Sequence, residues 1–141
     1  MAKIVILGGS GFVGTHLNLH LQQTNHIVKS IDVVTPKLVG LLGNHTAVEI
    51  VDGLRQHHLD GSDYVVWAAG LVSHTEGQQM PLNYYRNNVE GLLNVVGICR
   101  SLRKPPKIIY LSTTSLYGPQ PDDISLESVP DPIDVYSATK L

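Results

Sequence analysis

The sequence predicts an α/β fold, a doubly wound parallel sheet, and three observations carry that prediction. Five short runs rich in Val and Ile are apolar on both faces, the pattern of strands covered above and below by helices. Stretches with apolar residues three and four apart stand between them, so strand and helix alternate. The first run passes directly into "GGSGFVG", a glycine-rich turn between a strand and a helix.

The elements follow in order. Lys3–Leu7 ("KIVIL") is the first strand and Phe12–Thr24 the first helix, with apolar positions at Phe12, Val13, Leu17, Leu19 and Leu21 before "TNH" breaks it. Ile27–Asp32, Thr46–Val51, Tyr64–Ala68 and Lys107–Leu111 are the second to fifth strands. The longest helix is expected over Leu82–Leu102, with a stripe of Leu82, Tyr85, Val89, Leu92, Leu93, Val96, Cys99 and Leu102. Pro81 stands at its start and Pro105–Pro106 just past its end, where helix punctuation belongs. Pro119–Pro132, with four prolines among acidic residues, reads as an exposed irregular loop.

Composition bounds the partners. With 141 residues, 43% apolar and 16% charged, the chain has a core's worth of apolar side chains and reads as a single domain. A formal charge of −2 supplies no basic surplus for nucleic acid, and no apolar run approaches the roughly 20 residues that cross a bilayer. A cytoplasmic protein is expected. Cys99 is the only cysteine and lies in a helical stripe, which makes it a packing residue. The seven histidines, His57 and His58 among them, have no Cys or carboxylate partners at ligand spacing, so no metal site is expected.

The chemistry begins at the glycine turn. Gly8, Gly11 and Gly14 keep a three-residue spacing, and Gly9, Gly11 and Gly14 satisfy G-x-G-x-x-G. Glycines there permit a tight turn and let backbone N–H groups approach a pyrophosphate, whose charge the following helix terminus favours. Asp32 ends the second strand roughly 20 residues on, where a carboxylate accepts hydrogen bonds from the adenosine ribose and repels a 2′-phosphate. The expected cofactor is therefore NAD rather than NADP, on a Rossmann sheet of strand order 3-2-1-4-5.

A second group lies toward the end of the chain. "LSTTSLYG" closes the fifth strand with hydroxyls at the carboxyl edge of the sheet, and "YSATK" follows the proline-rich loop. If Tyr136 begins a helix, Lys140 falls on the same face one turn on, where its charge favours the phenolate. Tyr136 then serves as acid and base on a substrate hydroxyl while a strand-end Ser or Thr holds the same oxygen, an arrangement for hydride transfer. The single turn available to Tyr136 and Lys140 before Leu141 is expected to be frayed or held by a neighbour, and poorly placed for catalysis.

Together "GGSGFVG", Asp32, "AAGL" at Ala68–Leu71, "PLNYYRNNVEG" at Pro81–Gly91, "LSTTSLYG" and "YSATK" resemble the extended short-chain dehydrogenase/reductase family, in particular its NAD-dependent epimerase/dehydratase group of the UDP-galactose 4-epimerase kind. The resemblance runs through nearly the whole chain. It implies an NAD-dependent epimerase acting on a nucleotide sugar by transient hydride transfer. The implied cofactor contacts are Gly8, Gly9, Gly11, Phe12, Val13 and Gly14 at the turn, then Asp32, Asp52, Leu54, Ala68, Ala69 and Gly70, with Asn88 near the nicotinamide ribose and Lys140 beyond. Thr113, Tyr136 and Lys140 are the implied catalytic set, and pairing through the long helix makes a homodimer the implied assembly.

Three departures from that family pattern stand out. Asp52 and Gly53 reverse the usual G-D order near adenine, Val72 replaces a lysine of the close 4-epimerases, and Val135 replaces a common proline. The dehydratases' Asp-Glu pair after the strand-end threonine is here Thr114 and Ser115, which disfavours dehydration. The family's last strands and substrate portion are expected beyond Leu141, so this chain reads as a truncated cofactor-binding part. A non-catalytic NAD-binding module, a truncated product and a steroid- or flavonoid-type carbonyl reductase are the alternative readings.

Overall fold

The structure, a computed structural model, describes residues 1–119 and 123–141. Gln120, Pro121 and Asp122, within the loop expected over Pro119–Pro132, lie outside the described residues. The described chain forms two compact units, Met1–Ala69 with Gly91–Leu111 and Gly70–Glu90 with Ser112–Leu141.

The first unit holds the sheet. Strands β1 (Lys3–Leu7), β2 (Ile27–Asp32), β3 (His45–Ala47), β4 (Tyr64–Trp67) and β5 (Lys107–Tyr110) are all parallel in the order β3-β2-β1-β4-β5, as the sequence predicts. Alternation along β1 divides two cores. Ile4 and Ile6 point with Val66 toward Leu17 and Leu21 of helix α1 (Phe12–Gln22). Val5 and Leu7 join Ile31, Val65 and Trp67 against Leu59 of α2 (Gln56–Leu59) on the opposite face. Cys99 is buried in that second core, in the packing role its stripe predicts.

The third strand is shorter than its apolar pattern. β3 pairs only through Ser30↔His45, Ile31↔Thr46 and Asp32↔Ala47, because β2 ends at Asp32. After Val48 N donates to Asp32 O, the chain turns, with the Glu49 carboxylate accepting from Val51 N and Asp52 N and Gly53 N closing on Glu49 O. Val48 and Ile50 are apolar because they pack on the core, not because they extend the ladder. In α2, His57 and His58 do not diverge as neighbours on a longer helix would. His58 Nδ1 accepts from Arg55 N as a cap, and the two rings lie 4.0 Å apart.

The second unit is built of short turns of helix, beginning with α3 (His74–Gln79) and α4 (Pro81–Tyr84). A π turn at Tyr85–Glu90 then separates α4 from α5 (Gly91–Ser101), so the helix expected over 82–102 is broken where an extra residue enters. The buried positions along it are Tyr84, Asn88, Gly91, Val95 and Cys99, while Leu82, Tyr85 and Leu93 of the expected core stripe are exposed. A 3₁₀ turn at Thr114–Tyr117 and helix α6 (Val135–Ala138) complete the unit. Among the described residues no helix is long and apolar enough to cross a membrane.

Candidate functional site

In the first unit the glycine turn leaves β1 at the carboxyl edge, beside the point where strand order reverses between β1 and β4. Gly8 N and Gly9 N donate to Ile31 O, and Gly11 N donates to Gly8 O at 3.2 Å. Gly8 has φ +84°, and a Cβ there would run into the backbone of Ala68 and Ala69, so the fold itself requires glycine. Gly11 differs. Its φ of −70° suits any residue, and a Cβ would meet only Gly8 O at 3.4 Å. The protein has no packing reason for glycine at this position, which leaves the space for a ligand that must approach the backbone.

Gly11 is also the N-cap of α1, with no side-chain cap bond and no acidic residue in the first turn. The N–H groups there, at Phe12 and Val13 whose side chains are exposed, remain open to an anion. Asp32 Oδ2 accepts from Ser10 N and Oδ1 from Val34 N, each at 3.0 Å. The carboxylate thus ties the turn to the end of β2, and each oxygen keeps a further acceptor site for a ribose hydroxyl. These features fit a dinucleotide. Asp52 is exposed in the turn after β3, whereas the Leu54 side chain is 1% exposed and belongs to the core.

In the second unit Asn88 sits on the π turn, 1% exposed, with both amide hydrogens and one acceptor direction of the amide oxygen bonded within the unit. Its Oδ1 accepts from Leu71 N at 2.9 Å, and its Nδ2 donates to Leu71 O and to Thr139 Oγ1, both at 2.9 Å. Thr139 Oγ1 in turn donates to Tyr136 O at 2.8 Å. Asn88 therefore clamps the loop at Gly70, where φ is +143°, to the turn that carries Tyr136. Nothing in the spacing of the sequence pointed to Thr139 as the link.

The turn of α6 is held rather than frayed. Asp134 Oδ1 accepts from Ser137 N at 2.7 Å while Ser137 Oγ accepts from Asp134 N, a reciprocal cap, and Ser112 Oγ donates to Lys140 O at 3.1 Å. Burial alone would raise the Asp134 pKa, but the bonds from Ser137 N and from His74 outweigh it and hold the carboxyl below its usual range. Tyr136 is 9% exposed and Lys140 6%, and burial pushes the lysine's pKa down from its ordinary value. Among the described residues the Tyr136 hydroxyl makes no hydrogen bond, which leaves it for a ligand. Thr113 caps the 3₁₀ turn, its Oγ1 accepting from Ser115 N and donating to Ser115 Oγ, both at 3.2 Å.

The family model for the NAD dependent epimerase/dehydratase family matches residues 4–141. A UDP-glucose 4-epimerase of Azospirillum brasilense is 31% identical, across 99% of this chain and 42% of its own length, and one of Klebsiella pneumoniae is 30% identical across 89% of this chain and 99% of its own. Among solved structures, a UDP-N-acetylglucosamine 4-epimerase of Methanobrevibacter ruminantium in complex with UDP-N-acetylmuramic acid superposes with a TM-score of 0.87 at 26% identity. A UDP-glucuronic acid 4-epimerase of Bacillus cereus, in complex with UDP-4-deoxy-4-fluoro-glucuronic acid and NAD, does so with 0.87 at 25%. The chain covers 47% and 48% of those two, about half the length of the solved chains it matches, and 99% and 98% of it is matched. NAD is the family's cofactor, in agreement with the reading of the glycine turn and Asp32. By the family match over almost its whole length, the chain belongs to the NAD dependent epimerase/dehydratase family.

Proposed function

We propose that this chain is the NAD-binding and acid–base portion of an epimerase acting on a nucleotide sugar. The observation that carries the reading is Gly11, a glycine with ordinary backbone angles, at which a Cβ would make only an ordinary contact with Gly8 O, standing at an uncapped helix terminus. The named relatives above, epimerases of UDP-sugars, supply the substrate class.

In this reading the turn at Gly8, Gly9, Gly11 and Gly14 holds the pyrophosphate, with the amides of Phe12 and Val13 opposite its charge. Asp32 takes the adenosine ribose, Asp52 and the backbone at Leu54 border the adenine, and Ala68, Ala69 and Gly70 border the path to the nicotinamide. Asn88 acts there by fixing Gly70 and Leu71. Bound NAD supplies reversible hydride acceptance at a carbinol carbon. Tyr136 takes and returns the hydroxyl proton at its phenolic oxygen, Thr113 Oγ1 holds the same substrate oxygen after releasing Ser115 Oγ, and the Lys140 ammonium stabilises the phenolate. Pairing of two copies, through exposed apolar residues such as Leu82 and Tyr85 of the second unit, belongs to the same reading, and the compartment is read as the cytoplasm.

Titration calorimetry on the 141-residue chain tests the cofactor half. We expect weak NAD binding, weaker NADP binding, and a smaller difference between the two in Asp32→Ala; tighter NADP binding overturns the preference. Gly11→Ala should stabilise the fold by about 0.4–1 kcal/mol, since its backbone angles suit alanine, yet lower NAD affinity at least about tenfold. Unchanged affinity in that variant removes the observation on which the reading rests. Because the chain spans about half of its solved relatives, we expect no epimerase turnover from these 141 residues alone, and conversion of a UDP-sugar by them would refute that.

A further inference from the structure

We propose that His74 is a positioning residue for Tyr136, an inference that rests on Tyr136 being the acid–base group. His74 opens α3, and its Nδ1 lies 2.5 Å from Asp134 Oδ2, a contact across 60 residues of sequence. The other oxygen of the same carboxylate, Oδ1, accepts from Ser137 N at 2.7 Å and from Ser137 Oγ at 2.9 Å. One side chain therefore both caps the turn that carries Tyr136 and anchors the imidazole. The imidazole in turn meets the Tyr136 ring edge-on, with centroids 5.0 Å apart and planes at 87°.

That arrangement constrains the phenol in two ways. The cap sets the backbone from which Tyr136 projects, and the edge contact sets the plane of its ring, a geometry that aromatic pairs prefer. α3 closes on the same turn through its backbone as well. A Cβ at Gly77 would lie a tight 3.3 Å from the Tyr84 ring and at ordinary contact, 3.5 Å, from Tyr136 N, so α3 passes within a methyl group's width of the tyrosine's backbone. The His74 side chain is 53% exposed and that of Asp134 14%. The imidazole is thus the outer wall of the tyrosine's seat. It touches the ring through its edge and is bonded to Asp134, so its part is orientation, not proton transfer. Orientation matters because a phenol must stand within about 2.6–3.2 Å of the oxygen whose proton it moves, and an error of about 1 Å can cost about a hundredfold in rate.

The test is an NMR experiment on the 141-residue chain with tyrosine-specific ¹³C labelling, Tyr136 being assigned as the ring signal lost in Tyr136→Phe. His74→Ala removes both bond and ring, His74→Asn keeps a donor near the place of Nδ1 without the ring, and His74→Phe keeps the ring edge without the bond. The expected result is a displaced and broadened Tyr136 ring signal in His74→Ala, smaller displacements in the other two, and an unmoved Tyr64 on β4. A Tyr136 signal that coincides with wild type in His74→Ala overturns the inference. If that variant fails to fold, coincidence in both His74→Asn and His74→Phe overturns it. NAD calorimetry on the same samples reports on the proposed function separately, since a chain that binds NAD normally with an unmoved Tyr136 signal sinks this inference alone.

Discussion

Asp134 is the residue on which the end of the chain turns, because one carboxylate serves as helix cap and as partner of His74. Its folded pKa is held below the ordinary value, so its contribution to stability is present above the unfolded value, about 3.9, and is lost as pH falls through the folded one. Asp134→Ala should therefore cost about 1–2 kcal/mol at pH 7, and the gap to wild type should narrow at pH 3, read from urea melts at each pH. A gap independent of pH would mean that the charge plays no part. The Lys140 pKa is lowered by burial, the opposite linkage: the charged form is disfavoured in the fold, and the penalty eases as pH rises toward 10.5. Cap chemistry was readable in "DVYS" only as a possibility, since any Asp three residues before a Ser fits it. That His74 stands across from it was not readable, because the two are 60 residues apart.

At the scale of elements, the parts the sequence located well are those whose packing is periodic. β1, β2 and α1 carry regular apolar patterns and appear within two residues of their expected ends. α3 was missed because "HTEGQQ" has no apolar face; it is held by the Ser73 cap on Glu76 N and by Gly77 against Tyr84. The π turn was missed for a different reason. Its apolar spacing satisfies an ordinary helix, and what selects the extra residue is Asn88, which gains three bonds by turning inward. Asn88→Ala should destabilise the chain by about 3 kcal/mol, near 1 kcal/mol for each bond, measured by chemical denaturation. A loss under about 1 kcal/mol would show that the π turn forms without the clamp.

For the whole molecule, the sheet's order ranks its strands. β1 and β4 have a partner on each side and lie in both cores, whereas β3 is a three-residue edge. Native-state hydrogen exchange should show the amides of β1 and β4 opening only with global unfolding, and those of β3 exchanging through local opening. Equal protection in β3 and β1 would contradict that ranking. The sequence by itself determined the parallel α/β sheet, its strand order, the glycine turn and the order of the Asp32, Thr113, Tyr136 and Lys140 motifs. The sheet type, the glycine turn and the pairing of Tyr136 with Lys140 rest on local pattern, namely period, glycine spacing and residues a fixed step apart, while the strand order and Thr113 follow from the family resemblance that the motifs carry together. Only the tertiary structure decided which apolar residues face inward along the broken helix, why the third strand stops at Ala47, and that Asn88 and Asp134 join segments far apart in the chain. Those outcomes depend on which side chain finds a partner across a long loop, and that pairing energy is not a property of any local stretch of sequence.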